Sequence, residues 1–157
     1  MDAILPGLKG MLNLHPVVVH LPIGLWVGAL VFALAAAIRG CADWHKTAVR
    51  LLVLGTLCAL PAVGSGLLAE ESVPEAGPAH EVMEVHETLM YVTTGFAVAL
   101  CLFAWWKRKD ETSGPRKILL AGLIVLAGLL TVGADRGAQM VYQYGVAVDW
   151  SKAGPQK

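Results

Sequence analysis

Four apolar runs, each long enough to cross a bilayer, constrain this chain more than any other feature. They extend from Pro16 to Ile38, Leu51 to Ala69, Thr88 to Trp106 and Ile118 to Ala134. A span needs about 17–25 helical residues. A lipid-facing backbone must satisfy its own hydrogen bonds, which dictates helix. Composition agrees: 56% of the 157 residues are hydrophobic and the mean hydropathy is +0.61, above the usage of soluble globular domains. The expectation is one all-α domain over residues 1–157, an integral membrane four-helix bundle.

The connections set its orientation. The segments RGCADWHKTAVR and KRKDETSGPRK carry eight basic residues (Arg39, Lys46, Arg50, Lys107, Arg108, Lys109, Arg116, Lys117) against Asp43, Asp110 and Glu111. The other side, both termini plus the loop EESVPEAGPAHEVMEVHE, holds nine acids and four bases. Lys and Arg accumulate on the cytoplasmic side, so both termini, including a tail at 145–157, are expected to be periplasmic. Trp44, Trp105 and Trp106 fall at the cytoplasmic ends, where an aromatic belt belongs.

The start, MDAILPGLKGMLNL, lacks a basic n-region and a small-residue cleavage site and reads as an interfacial lead-in. Cys41, Cys58 and Cys101 form no CxxC pair and read as small buried hydrophobes. The absence of CxxCH excludes the usual covalent haem attachment. Gly24 and Gly28 in span one, and Gly122, Gly128 and Gly133 in span four, suit close helix packing. Pro22 and Pro61 each free a carbonyl one turn back. There is no 20–50-residue repeat and no phosphate loop.

Chemistry is concentrated in the histidines. His15 and His20 open span one, and His80 and His86 precede span three, all on the outer side; His45 sits beside Trp44 at the cytoplasmic interface. Ionisable or metal-binding side chains at a span are functional candidates by default. At about 1.5 Å per residue they define an outer level (His15, His80) and an inner one (His20, His86). His20, Gly24 and Gly28 share one helical stripe, and His86, Met90, Thr93 and Ala97 share another. His15 precedes Pro16, a residue suited to the first helical position, and reads as a boundary residue. The expected inward pair is therefore His20 with His86.

Two neutral imidazoles from facing helices suit axial ligation of a b-type haem in a bundle core. Its propionates would point outward, where Arg136 is the nearest base, although Arg136 could equally pair with Asp135. A bare copper or zinc ion is the second possibility, with Glu81, Glu84, Glu87, Met83 and Met90 as further donors. A purely structural role, with histidines capping helices, binds nothing. The acidic outer loop is a solvated face or a surface that steers a basic periplasmic carrier.

The stretch HPVVVHLPIGLWVGAL resembles the opening of the bacterial membrane family called domain of unknown function 2231, with its His-Pro then His-x-Pro signature. His86 and the closing GAQMVYQYGVAV resemble later landmarks of that family. Some members carry a histidine near the tail's Tyr-x-x-Gly position, where this chain has Tyr144. The resemblance covers essentially the whole chain and implies a four-span bacterial inner-membrane protein. Similar domains occur fused to Rieske or cytochrome c modules, which implies electron transfer.

The resulting expectation is a multi-pass protein of the bacterial inner membrane that holds haem b through His20 and His86. It would act as an electron-transfer protein or small subunit among other membrane redox subunits or a periplasmic electron carrier. The alternatives are a non-redox structural or assembly subunit and a copper or zinc binding protein. No nucleophile–base pair marks an independent enzyme, and no nucleic acid is expected among its partners.

Overall fold

The computed structural model describes residues 11–71, 73, 76–110 and 112–148. The lead-in at 1–10, Glu75 of the acidic loop and the tail end at 149–157 lie outside the described residues. Five helical segments follow in order: α1 His15–Val18, α2 His20–Arg39, α3 Ala42–Glu70, α4 Pro78–Trp106 and α5 Ser113–Tyr144. α1 and α2 form one span, so four helices of 25, 29, 29 and 32 residues are long and apolar enough to cross a membrane. The described residues contain no strand.

These helices are longer than the apolar runs. At 1.5 Å per residue they measure roughly 38–48 Å, against about 30 Å of hydrocarbon. The flanks 42–50 and 78–87, which read as connections, are helical. Neither flank has a breaker in its interior, and Pro78 occupies the first turn of α4, where its missing N–H costs nothing. Only Gly40 and Cys41 separate α2 from α3. Gly40 has φ +66°, a left-handed conformation that a residue with a Cβ disfavours.

The buried residues advance in steps of three and four. They are Pro22, Trp26, Ala29 and Ala33 in α2, and Ala48, Leu52, Gly55, Thr56, Ala59 and Ala62 in α3. α4 adds Met83, Thr93, Ala97 and Leu100, and α5 adds Leu119, Leu123, Leu126, Leu130, Gly133 and Met140. This is the rhythm of a coiled-coil seam. α2 packs on α3 and α4 on α5 most broadly, while α2–α5 and α3–α4 contacts close the ring. The outward faces are apolar, with Leu21, Val31, Ile38, Leu57, Leu68, Leu102 and Ile124 exposed as lipid-facing positions require.

The two hairpins repeat one pattern 71 residues apart. Pro22, Trp26 and Ala29 map to Thr93, Ala97 and Leu100; Ala48, Leu52, Gly55, Ala59 and Ala62 map to Leu119, Leu123, Leu126, Leu130 and Gly133, and all of these are buried. The chain therefore has an internal twofold relation, α2 with α4 and α3 with α5, which no 20–50-residue window reveals. Few identities survive (His15/His86, Gly24/Gly95, Val27/Val98, Phe32/Phe103, Ala33/Ala104, Lys46/Lys117, Leu52/Leu123, Gly66/Gly137). Volume is exchanged between partners instead. The first hairpin sets large Trp26 against Gly55, where a Cβ would stand 2.7 Å from Trp26 Cδ1. The second has Ala97 and Leu126 at the equivalent positions.

A polar node ties three helices within the apolar core. Trp26 Nε1 donates to Thr56 Oγ1 (3.3 Å), Cys101 Sγ donates to the same oxygen (3.4 Å), and Thr56 donates to the Leu52 carbonyl (2.8 Å). With the hydroxyl proton and both lone pairs engaged, Thr56 is fully satisfied.

Candidate functional site

The histidine end of the bundle is shaped by Pro22. It has no N–H to give the Val18 carbonyl and its ring crowds that turn, so one ladder bond is missing where α1 meets α2, while Val19 keeps helical angles (φ −64°, ψ −22°). α1 then leans on α3. This sets the His15 ring against Gly66, where a Cβ would lie 3.2 Å from His15 Cε1. His15 Nδ1 is 3.0 Å from Ser65 Oγ, which in turn donates to the Ala62 carbonyl (2.9 Å).

α4 and α5 repeat the arrangement. His86 Nδ1 lies 2.7 Å from the Gly133 carbonyl oxygen, and a Cβ at Gly137 would lie 3.1 Å from His86 Cε1. In each hairpin a histidine of the first helix rests on a glycine of the second and addresses the carbonyl four residues before it, His86 directly and His15 through Ser65. That carbonyl is accessible because the glycine lacks the side chain that would cover it. His15 and His86 are counterparts under the 71-residue relation, as are Ala62 and Gly133, and Gly66 and Gly137. The two imidazoles are near enough to interact electrostatically.

Hydrogen-bond accounting fixes their tautomers. A carbonyl only accepts, so His86 Nδ1 carries its proton. Ser65 donates its single proton to the Ala62 carbonyl (2.9 Å), so its Oγ accepts from His15 Nδ1. In the neutral form both rings are therefore Nδ1–H, with an unprotonated Nε2. Neither Nε2 has a partner among the described residues, and neither is sealed from its surroundings. Metal-ligating histidines are commonly oriented in this way, one ring N–H bonded to a protein oxygen and the other nitrogen free. Imidazole nitrogens of this kind are a donor type that haem iron takes.

This changes the pairing expected from helical phase. His20 does not face into the bundle: it is exposed on α2, and its counterpart Tyr91 is exposed too. The buried seam runs through Pro22, Trp26, Ala29 and Ala33, and seven residues back from Pro22 it meets His15. Gly24, read as marking the inward stripe, has no atom within 4 Å of its would-be Cβ. The stripe of His86, Met90, Thr93 and Ala97 does face inward, the last two at 0% exposure.

The other candidates stand apart. His80 Nε2 lies 3.6 Å from Glu84 on its own helix rather than pairing with His15. Arg136 donates to Gln139 Oε1 (2.8 Å) instead of pairing with Asp135. Glu87 accepts the Tyr91 hydroxyl (2.6 Å), and Met83 is buried with Val73 and Met140. Among the described residues no three His, Cys, Asp or Glu side chains converge to hold a metal ion. Gly66, Gly137 and Ser65 were missed by sequence reasoning; their signal is the pair Ala62-xxx-Gly66 and Gly133-xxx-Gly137 at the ends of spans two and four.

Fold and site define a class: a four-span membrane bundle of two related hairpins with a histidine from each at one end. The chain belongs to the family described as "Predicted membrane protein (DUF2231)", which matches residues 11–150. Comparisons with curated proteins and with solved structures gave no match.

Proposed function

We propose that this protein is a membrane-bound b-type cytochrome whose haem is held between His15 and His86. One observation carries the reading: two symmetry-related imidazoles, each fixed through Nδ1–H to the neighbouring helix, each keep a free Nε2. Bound there, the haem supplies a one-electron couple between a membrane redox subunit and a periplasmic electron carrier. The protein's residues do the positioning. Ser65, Ala62 and Gly133 orient the rings, and Gly66 and Gly137 leave the room those orientations need. Arg136, next to Gly137, would be the cation for the propionates, since among the described residues its guanidinium holds Gln139 alone. The charge pattern supports the bacterial inner membrane, with the basic connections cytoplasmic and the histidine end periplasmic.

The test is an absorption spectrum of the purified protein, oxidised and dithionite-reduced, with haem content per chain. A reduced b-type α band at one haem per chain supports the proposal; a colourless protein after expression with ample haem overturns it. A second reading is favoured by the glycine contacts: the histidines act as braces, each clamping its hairpin through a carbonyl. Under that reading the protein is colourless and loses stability when either histidine is removed.

A further inference from the structure

The opposite end of the bundle holds a second convergence of side chains. A cavity of about 170 Å³ lies where the end of α2 meets the starts of α3 and α5. His45, Arg116, Lys117 and Ser113 line its polar side, and Ala33 and Leu120 its apolar side. His45 and Arg116 are counterparts 71 residues apart, and they interact electrostatically. So one pair of the lining, His45 and Arg116, occupies equivalent positions of the two hairpins, while the rest of the cavity does not follow the relation.

Its charge is unbalanced. Among the described residues no carboxylate pairs with Arg116 or Lys117, whereas other cations at this end are engaged. Lys46 pairs with Asp43 (3.0 Å). Arg39 lies over Trp44 (5.4 Å), Lys107 over Trp106 (4.2 Å) and Arg108 over Trp105 (4.7 Å). α3 and α5 also begin here, each with a carboxylate at its start, Asp43 in the first turn of α3 and Asp110 on the Thr112 amide before α5, so the uncompensated charge is that of Arg116 and Lys117. The three tryptophans mark this end as headgroup depth.

We propose that this cavity binds a phosphate group, carried by an anionic lipid headgroup or supplied as free phosphate. A guanidinium grips two phosphate oxygens at once, an ammonium adds a point charge, and the Ser113 hydroxyl is a further donor. Basic pockets between spans at the cytoplasmic face bind anionic headgroups for these reasons. The apolar wall of Ala33 and Leu120 suits the glycerol side of a phosphodiester.

The full chain, purified in a neutral detergent, is offered phosphatidylglycerol, phosphatidylcholine or inorganic phosphate, and binding is read by native mass spectrometry and by thermal shift. Phosphatidylglycerol should bind and raise Tm while phosphatidylcholine does neither. Arg116→Gln with Lys117→Gln should weaken binding tenfold or more, at roughly fivefold per cation. Lys46→Gln, at the same end but outside the cavity, should leave it unchanged. Binding of inorganic phosphate with the same dependence on Arg116 and Lys117 identifies the free ion as the source; binding of the lipid alone identifies the headgroup. Equal binding of both lipids with no binding of phosphate overturns the proposal, and this comparison needs only the wild-type chain. Undiminished binding by a folded double variant overturns it as well.

Discussion

His86 donates from Nδ1 to the carbonyl oxygen of Gly133 across the α4–α5 interface, at 2.7 Å. That carbonyl already belongs to the helical ladder, and it can take a second donor because Gly137, one turn on, has no side chain over it. His15 rests on Gly66 in the same way and reaches the Ala62 carbonyl through Ser65. The arrangement turns two ordinary glycines into requirements for the orientation of two rings.

Glycine substitutions should therefore split by position. In a helix, Gly→Ala ordinarily stabilises by about 0.5–1 kcal/mol. Gly24→Ala and Gly95→Ala, with no atom near the new methyl, should gain up to that amount. Gly66→Ala and Gly137→Ala meet a histidine ring at 3.1–3.2 Å and should instead lose about 1–3 kcal/mol. Thermal unfolding in detergent reads all four, and a common sign across them would contradict the packing described.

The Trp26–Thr56–Cys101 node makes a nonadditive prediction. Thr56→Val strands the buried indole N–H at a cost of about 1–3 kcal/mol. Trp26→Phe in the same chain removes the stranded donor, so the double variant should recover part of that loss. A double-mutant cycle by thermal unfolding measures the coupling; strict additivity would show that the hydrogen bond does not form.

Asp110, in the connection between α4 and α5, gives a pH prediction. The Thr112 hydroxyl (2.6 Å) and then the Thr112 amide (3.1 Å) donate to its carboxylate and hold it below the usual carboxylate range. A lowered folded-state value means that the interaction is fully present above the unfolded value, about 3.9. It is lost as pH falls through the folded one. Thr112→Ala should raise the Asp110 titration towards that ordinary value, as read by carboxyl-resolved NMR; an unchanged titration would sink the assignment.

Orientation is tested by reporter fusions. Alkaline phosphatase fused after Lys157 should be active, and fused in the 107–112 connection it should be inactive. The reversed pattern would place the histidine end in the cytoplasm.

Much of this was legible in the chain. Run length and charge gave four spans, and the i, i+4, i+7 rhythm from His86 through Met90 and Thr93 identified one inward stripe. The first span is less legible because its glycines do not mark the interior. In lipid a glycine on the outer face meets only hydrocarbon, as Gly24 does, whereas the true seam passes through Trp26, whose bulk is accommodated by Gly55 on another helix. That cross-helix compensation leaves no trace in local periodicity. The repeat was hidden for a related reason: Trp26 and Gly55 in one hairpin answer to Ala97 and Leu126 in the other. Equivalent positions thus share burial but not residue type.

The reduced spectrum of three single variants tests the central claim most directly. His15→Ala and His86→Ala should each abolish or shift the b-type α band, whereas His20→Ala should leave its position and intensity unchanged. Loss of the band in His20→Ala with its survival in His15→Ala would contradict the pairing of His15 with His86.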